Sequence, residues 1–168
     1  MRDRRFVAVH RGGPLDLTKH RLLAVWAADC AERVLPLFQK CSSDHRPKDA
    51  IQTARAWASG EVSVGDARKA AVAAHAAARE MRSKSATAAA RAAGHAVAAA
   101  HMADHCIGAP LYALKAVEAA GASVEVERAW QLEQLPDELR NLVTSALKRR
   151  LSGQWLKLER QGDSSRCA

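Results

Sequence analysis

Residues 67–107 are close to half alanine, contain no proline and hold a single glycine, Gly94. Alanine is the best helix former, so this stretch folds as helix wherever nothing interrupts it. A polar break over residues 81–85 divides it in two, and side chains this small let helix backbones approach closely. The expectation is a central Ala-rich hairpin around which the other helices wrap. Its polar residues stand out against so plain a scaffold: Arg68, His75, Arg79, Arg91, His95, His101, Asp104 and His105.

The flanking sequence supplies the wrapping helices. From about Thr18, Leu22, Leu23, Trp26, Ala27, Cys30, Val34 and Phe38 recur at helical spacing, with Pro36 inside the pattern predicting a kink or restart. Pro47 suits the first turn of a second helix carrying Ile51, Ala54 and Trp57, and Gly60 stops it. Ser63 with Asp66 reads as a capping box for a third helix through residues 67–80. The fourth spans residues 85–107; Gly108 and Pro110 end it and start a fifth through Leu111, Leu114 and Val117. Gly121 stops that one, and Ser123 caps a sixth with Val126, Ala129, Trp130 and Leu132 as its apolar side. Pro136-Asp137-Glu138 opens a seventh carrying Leu139, Leu142, Val143, Leu147 and Leu151. No period-two alternation is long enough for a sheet. The fold class is therefore all-α, a single bundle of six to seven helices over residues 1–160. Residues 1–17 form a basic arm and loop with a short extended segment at 6–9, and residues 161–168 a frayed tail.

Aromatic residues make up only 4% of the 168-residue chain, so Trp26, Trp57 and Trp130 serve as the few large fillers of a core of Ala, Leu and Val. Trp155 is expected to dock back onto the bundle. The net charge of +8 favours acidic partners, whether nucleic acid, anionic membrane or acidic protein, although the arginines are spread along the chain. The run Lys148-Arg149-Arg150 reads as a solvated helix end favoured by the dipole. Cys30, Cys41, Cys106 and Cys167 form no CxxC and read as buried, reduced thiols. The basic start leads only to a short apolar run, which predicts no signal peptide, and Arg91, His95 and His101 interrupt the longest Ala-rich segment, which predicts no membrane span. The expected compartment is the cytoplasm.

Two constellations carry potential chemistry. His101-Met-Ala-Asp-His105 reads as H-x-x-D-H, one residue from a zinc-protease signature, with Glu118 or Glu125 as conceivable third ligands. Aspartate is a methylene shorter than the glutamate that chemistry uses, and structural or surface histidines outweigh a hydrolase. The second constellation is a seam. Arg68, Val72, His75 and Arg79 share one face of the third helix, and Arg91, His95, Met102 and His105 one face of the fourth. A hairpin turning about residue 83 sets His75 level with Arg91 and brings Glu61 and Asp66 near residues 101–105. The seam reads either as a partly packed polar strip or as a basic, titratable surface for an anionic partner. No Gly-rich phosphate loop, nucleophile elbow or activated cysteine is legible, so no catalytic residue, metal or cofactor is assigned. Nucleic-acid binding, the alternative to protein binding, has charge in its favour but no aromatic-interleaved basic stripe and no helix-turn-helix.

The ordered blocks His20-Arg-Leu-Leu, Trp26-Ala-Ala-Asp-Cys-Ala-Glu-Arg-Val-Leu-Pro-Leu-Phe38, Arg46-Pro47, Arg55-Ala-Trp57, Gly60-Glu61, Ala67-Arg68, Ala73-Ala-His75-Ala-Ala-Ala-Arg79, Ala92-Ala-Gly94-His95-Ala-Val, His101-Met-Ala-Asp-His105 and Tyr112-Ala-Leu resemble the bacterial immunity proteins of the type-five-like class, associated with polymorphic toxin systems. The resemblance covers residues 18–145. It implies an all-helical cytoplasmic protein, not an enzyme, that binds and neutralises a cognate toxin, and it carries over no catalytic residues. The seam of Arg68, His75, Arg91, His95, His101 and His105 is the expected partner-binding surface. A chain of this charge would be repelled by the basic cleft of a nuclease, so the target has an acidic surface or is not a nuclease.

Overall fold

Helix α4, Lys84–Ala98, lies at the centre of the fold, and ten of its fifteen residues are buried, all of them Ala, Gly or Val. Helices this thin at the surface present shallow ridges, and α4 is packed by α1 (Leu17–Gln39), α2 (Arg46–Ser59), α3 (Val64–Glu80) and α5 (Gly108–Ala119). The bulk that α4 lacks comes mainly from α1, whose Leu23, Trp26, Val34 and Phe38 are almost completely buried. Each such side chain contributes roughly 1.5–3 kcal/mol of hydrophobic stabilisation. The computed structural model describes residues 3–150; helices α6 (Val124–Glu133) and α7 (Asp137–Arg150) complete seven α-helices among them. The one β-type pairing among the described residues is a single bridge between Ala8 and Leu15. Trp155 and the tail at 161–168 lie outside them.

Local signals set most boundaries. The Asp16 carboxylate accepts from the Lys19 amide at 2.8 Å and caps α1. Ser63 and Asp66 exchange reciprocal bonds at the start of α3, and Ser83 and Ser123 cap α4 and α6. Gly60, at φ +88°, ends α2 in the left-handed conformation that favours glycine.

Several elements differ from the sequence expectation. Helix α1 runs through Pro36 to Gln39 without restarting; the proline removes one amide donor from the ladder, and Leu35 and Phe38 on either side of it stay buried. The extended segment expected over residues 6–9 shortens to Val7 and Ala8, with Ala8 bridged to Leu15, between two 3₁₀ turns, Arg4–Phe6 and Val9–Arg11; Phe6 and Ala8 are buried. The basic end of α7 is not merely solvated: Arg149 pairs with Asp3 of the arm, and Arg150 lies 3.9 Å from Asp104. The fourth helix stops at Ala98 instead of reaching Ile107, and the chain passes through an extended Met102 into a 3₁₀ turn, Ala103–Ile107. Buried His20 of α1 explains the stop. Its Nε2 bonds the Ala99 carbonyl at 2.7 Å, occupying the acceptor a continuing helix would use. Cys30 and Cys106 are buried, as expected, but Cys41 is exposed just past the end of α1.

Helix α6 is turned from its expected face. Val126 is 62% exposed and Trp130 only half-buried, whereas Glu127 and Gln131 point inward. A polar latch accounts for the rotation. The Glu127 carboxylate accepts from Arg33 Nε at 2.7 Å and from Gln131 Nε2 at 3.1 Å, while Trp26 Nε1 donates to the Gln131 carbonyl at 2.8 Å. The Arg33 guanidinium also lies 4.3 Å from the Trp130 ring centre. Removing either charge has unequal consequences, because Arg33 is 37% exposed and Glu127 5%. Arg33→Ala strands a buried carboxylate and should cost about 3 kcal/mol, whereas Glu127→Gln leaves a cation that water reaches and should cost about 1 kcal/mol. Urea unfolding of the two variants checks the order; equal losses would show that the latch does not hold α6.

Candidate functional site

Two glycines make room for two histidines. At Gly94 on α4, an added Cβ would stand 2.7 Å from the His75 ring; at Gly108, opening α5, it would stand 2.4 Å from His95 Nδ1. Both glycines have been selected by space, since Gly108 has ordinary helical angles. His75 of α3 thus lies over Gly94 beside His95, further along α4 than the Arg91 level expected from a turn at residue 83.

From there the rings form a file. His75 meets His95 edge-on at 5.2 Å between ring centres, His95 lies 5.8 Å from His105, and His105 lies 5.0 Å from His101. Tyr112 of α5 stacks on His95 at 5.1 Å. All four histidines are half-buried. The Nδ1 atoms of His75, His95 and His101 are buried without a hydrogen-bond partner.

Burial is the main reason these imidazoles resist protonation. It holds His75, His95 and His101 below their ordinary value, with His95 lowered to about 4. Neighbouring positive charge adds to the effect: Arg91, Arg79 and His105 on His75; His75, His105, Arg150 and Arg91 on His95; His105, Arg68 and Arg11 on His101. Asp104 alone opposes it at His101. The six seam residues therefore come together, with Arg68 exposed and Arg91 half-buried. Glu61 and Asp66 are not among the charges that act most strongly on His101.

The H-x-x-D-H reading loses its geometry. His101 and His105 do not sit one α-helical turn apart, because α4 has ended, and Asp104 faces Arg150. Among the described residues no three His, Cys, Asp or Glu side chains converge in a way that could hold a metal ion. Burial raises the Cys30 and Cys106 thiols well above their ordinary range, which makes them inert as nucleophiles. No helix among the described residues is long and apolar enough to cross a membrane.

Beside the file, where the start of α4 faces α5, an open groove of about 480 Å³ is lined by Arg82, Lys84, Arg91, Tyr112, Lys115 and Glu118, among others. Of these, the sequence reading places only Arg91 on a partner surface; Glu118 enters it as a conceivable metal ligand and Tyr112 only through the family resemblance. Arg82 and Lys84 belong to the break between the Ala-rich helices, and Lys115 is on another element, so no spacing links them. The lysine at 115 sits 4.8 Å from the Tyr112 ring centre, which faces His95 in turn.

Two outcomes follow from the file. A Gly108→Ala substitution should destabilise the chain by about 1 kcal/mol, overpacking against His95 exceeding the helix-propensity gain of up to about 1 kcal/mol. In a His95→Ala background the same change should be neutral or stabilising, and a double-mutant cycle reads the reversal. The pH dependence has a definite sign. His20, His75, His95 and His101 all have lowered folded values, so between 6.5 and about 4 the unfolded chain binds more protons. Stability should be full above about pH 7 and fall progressively below 6.5, with a shallower fall in His95→Gln; urea midpoints across that range test it.

Residues 13–138 match the family described as Imm-5 like putative immunity protein. No curated protein and no solved structure matches the chain.

Proposed function

The chain belongs to the Imm-5 like immunity protein family, and from that membership we propose that it is a non-enzymatic protein that binds and neutralises a cognate protein toxin. The match spans the sequence from before α1 to the opening of α7, so it takes in every element that carries the histidine file. The surface best suited to the task is the one around Arg68, His75, Arg91, His95, His101 and His105. Val72, 67% exposed on α3 between Arg68 and His75, gives that surface an apolar point rimmed by cations. Such an arrangement suits an interface whose energy comes from a few desolvated anchors while surrounding charge steers the encounter. The partly buried imidazoles add polar atoms to that surface, and the buried Nδ1 atoms of His75, His95 and His101 have no hydrogen-bond partner among the described residues. The single observation that carries the reading is the family match.

Co-expression of this chain with its cognate toxin, sought among the products of adjacent genes, should restore growth, and the two proteins should be recovered as a complex. Persistent toxicity without a complex would overturn the proposal. Within the complex, joint replacement of Arg91 and His95 by alanine should weaken binding tenfold or more, the range in which a central anchor pair falls. Unchanged affinity in a folded double variant would move the contact surface elsewhere.

A further inference from the structure

The cations of this protein are not partnered alike. Arg33, Arg46, Arg55 and Arg140 each close onto a carboxylate at 2.5–3.2 Å. Around the open groove, by contrast, Arg82, Lys84, Arg91 and Lys115 gather without an ion pair among the described residues, and Glu118 is the one carboxylate in the lining. Folding gains nothing from assembling like charges, which repel one another even at the surface. The start of α4, capped by Ser83, adds the positive end of a helix dipole to the same place. Ala88 and Ala119 give the groove a small apolar floor beside half-buried Tyr112, whose ring stacks on His95 and lies under Lys115. Charge, dipole and a partly apolar floor together describe a receptor for an anionic, partly apolar chain.

We propose that this groove seats an acidic, carboxylate-bearing segment of the partner protein; the identification of that partner as a toxin rests on the function proposed above. Two features favour a polypeptide over a nucleic-acid backbone. The cations converge on one short groove of about 480 Å³ and do not track a long path. Glu118 lies within the lining, where it would repel an unbroken line of phosphates but can pair with a lysine or arginine of a mixed-charge peptide.

The test titrates the full chain with a fluorescent decapeptide of glutamate and, in parallel, with deca-deoxythymidylate, each over a salt series. The expected result is tighter binding of the peptide than of the oligonucleotide. Peptide affinity should fall about tenfold or more in R82E/K115E and stay within about twofold in K40E/K48E, which changes net charge equally at exposed positions away from the groove. Equal losses in the two variants, or tighter binding of the oligonucleotide, would overturn the proposal. Loss of that selectivity while growth rescue by the wild-type chain persists sinks this groove alone. Intact selectivity with persistent toxicity sinks the toxin reading alone.

Discussion

The separation between α4 and its neighbours governs this structure. Because the buried face of α4 carries only Ala, Gly and Val, the helices around it sit close, and whatever projects between them must find a gap of its own. Gly94 and Gly108 are those gaps. Each removes a Cβ that would collide with an imidazole, so His75 and His95 are held by the absence of atoms as much as by their own contacts. The file of rings is a consequence of close helix packing, and Tyr112 closes it from α5.

That confinement sets the charge state of the face. Imidazoles held between helices and ringed by Arg68, Arg79, Arg91 and Arg150 have no reason to accept a proton near neutrality. Burial thus disfavours charge on His75, His95 and His101, while the guanidinium and ammonium groups carry positive charge at the rim. A face built this way, proposed above as the partner-binding surface, sets a half-buried middle inside a charged edge, a division that binding surfaces favour.

Polar groups elsewhere have structural duties. His20 ends α4 by capturing the Ala99 carbonyl, and its ring leans on Trp57 at 4.8 Å. Glu127 orients α6 by holding Arg33 and Gln131. Asp3 and Asp104 tie the basic end of α7 to the arm and to the 3₁₀ turn. Among the described residues the cations of the groove have no such ion pair, and Glu118 is the one carboxylate beside them.

Much of this was open to reading in the chain alone, because helices of this length depend on local chemistry. Alanine content, the Ser63–Asp66 box, Pro47 and the stop at Gly60 act within a few residues, and they determined the class of fold, the order of helices and the Ala-rich centre. Helical spacing also groups Arg68 with His75 on α3 and Arg91 with His95 on α4, whereas His101 and His105 join them from beyond the end of α4, where helical spacing no longer applies. What spacing cannot express is a contact from a distant element. His20 shortening α4 acts across 79 positions, Arg33 turning α6 acts across 94, and Lys115 joins Arg82 and Lys84 only because α5 folds beside α4. Sequence thus determined which helices form and which side chains each one offers. Tertiary structure alone decided where α4 ends, which face of α6 is buried and where the cations of the groove meet, because each of those depends on an interaction whose partner lies far along the chain.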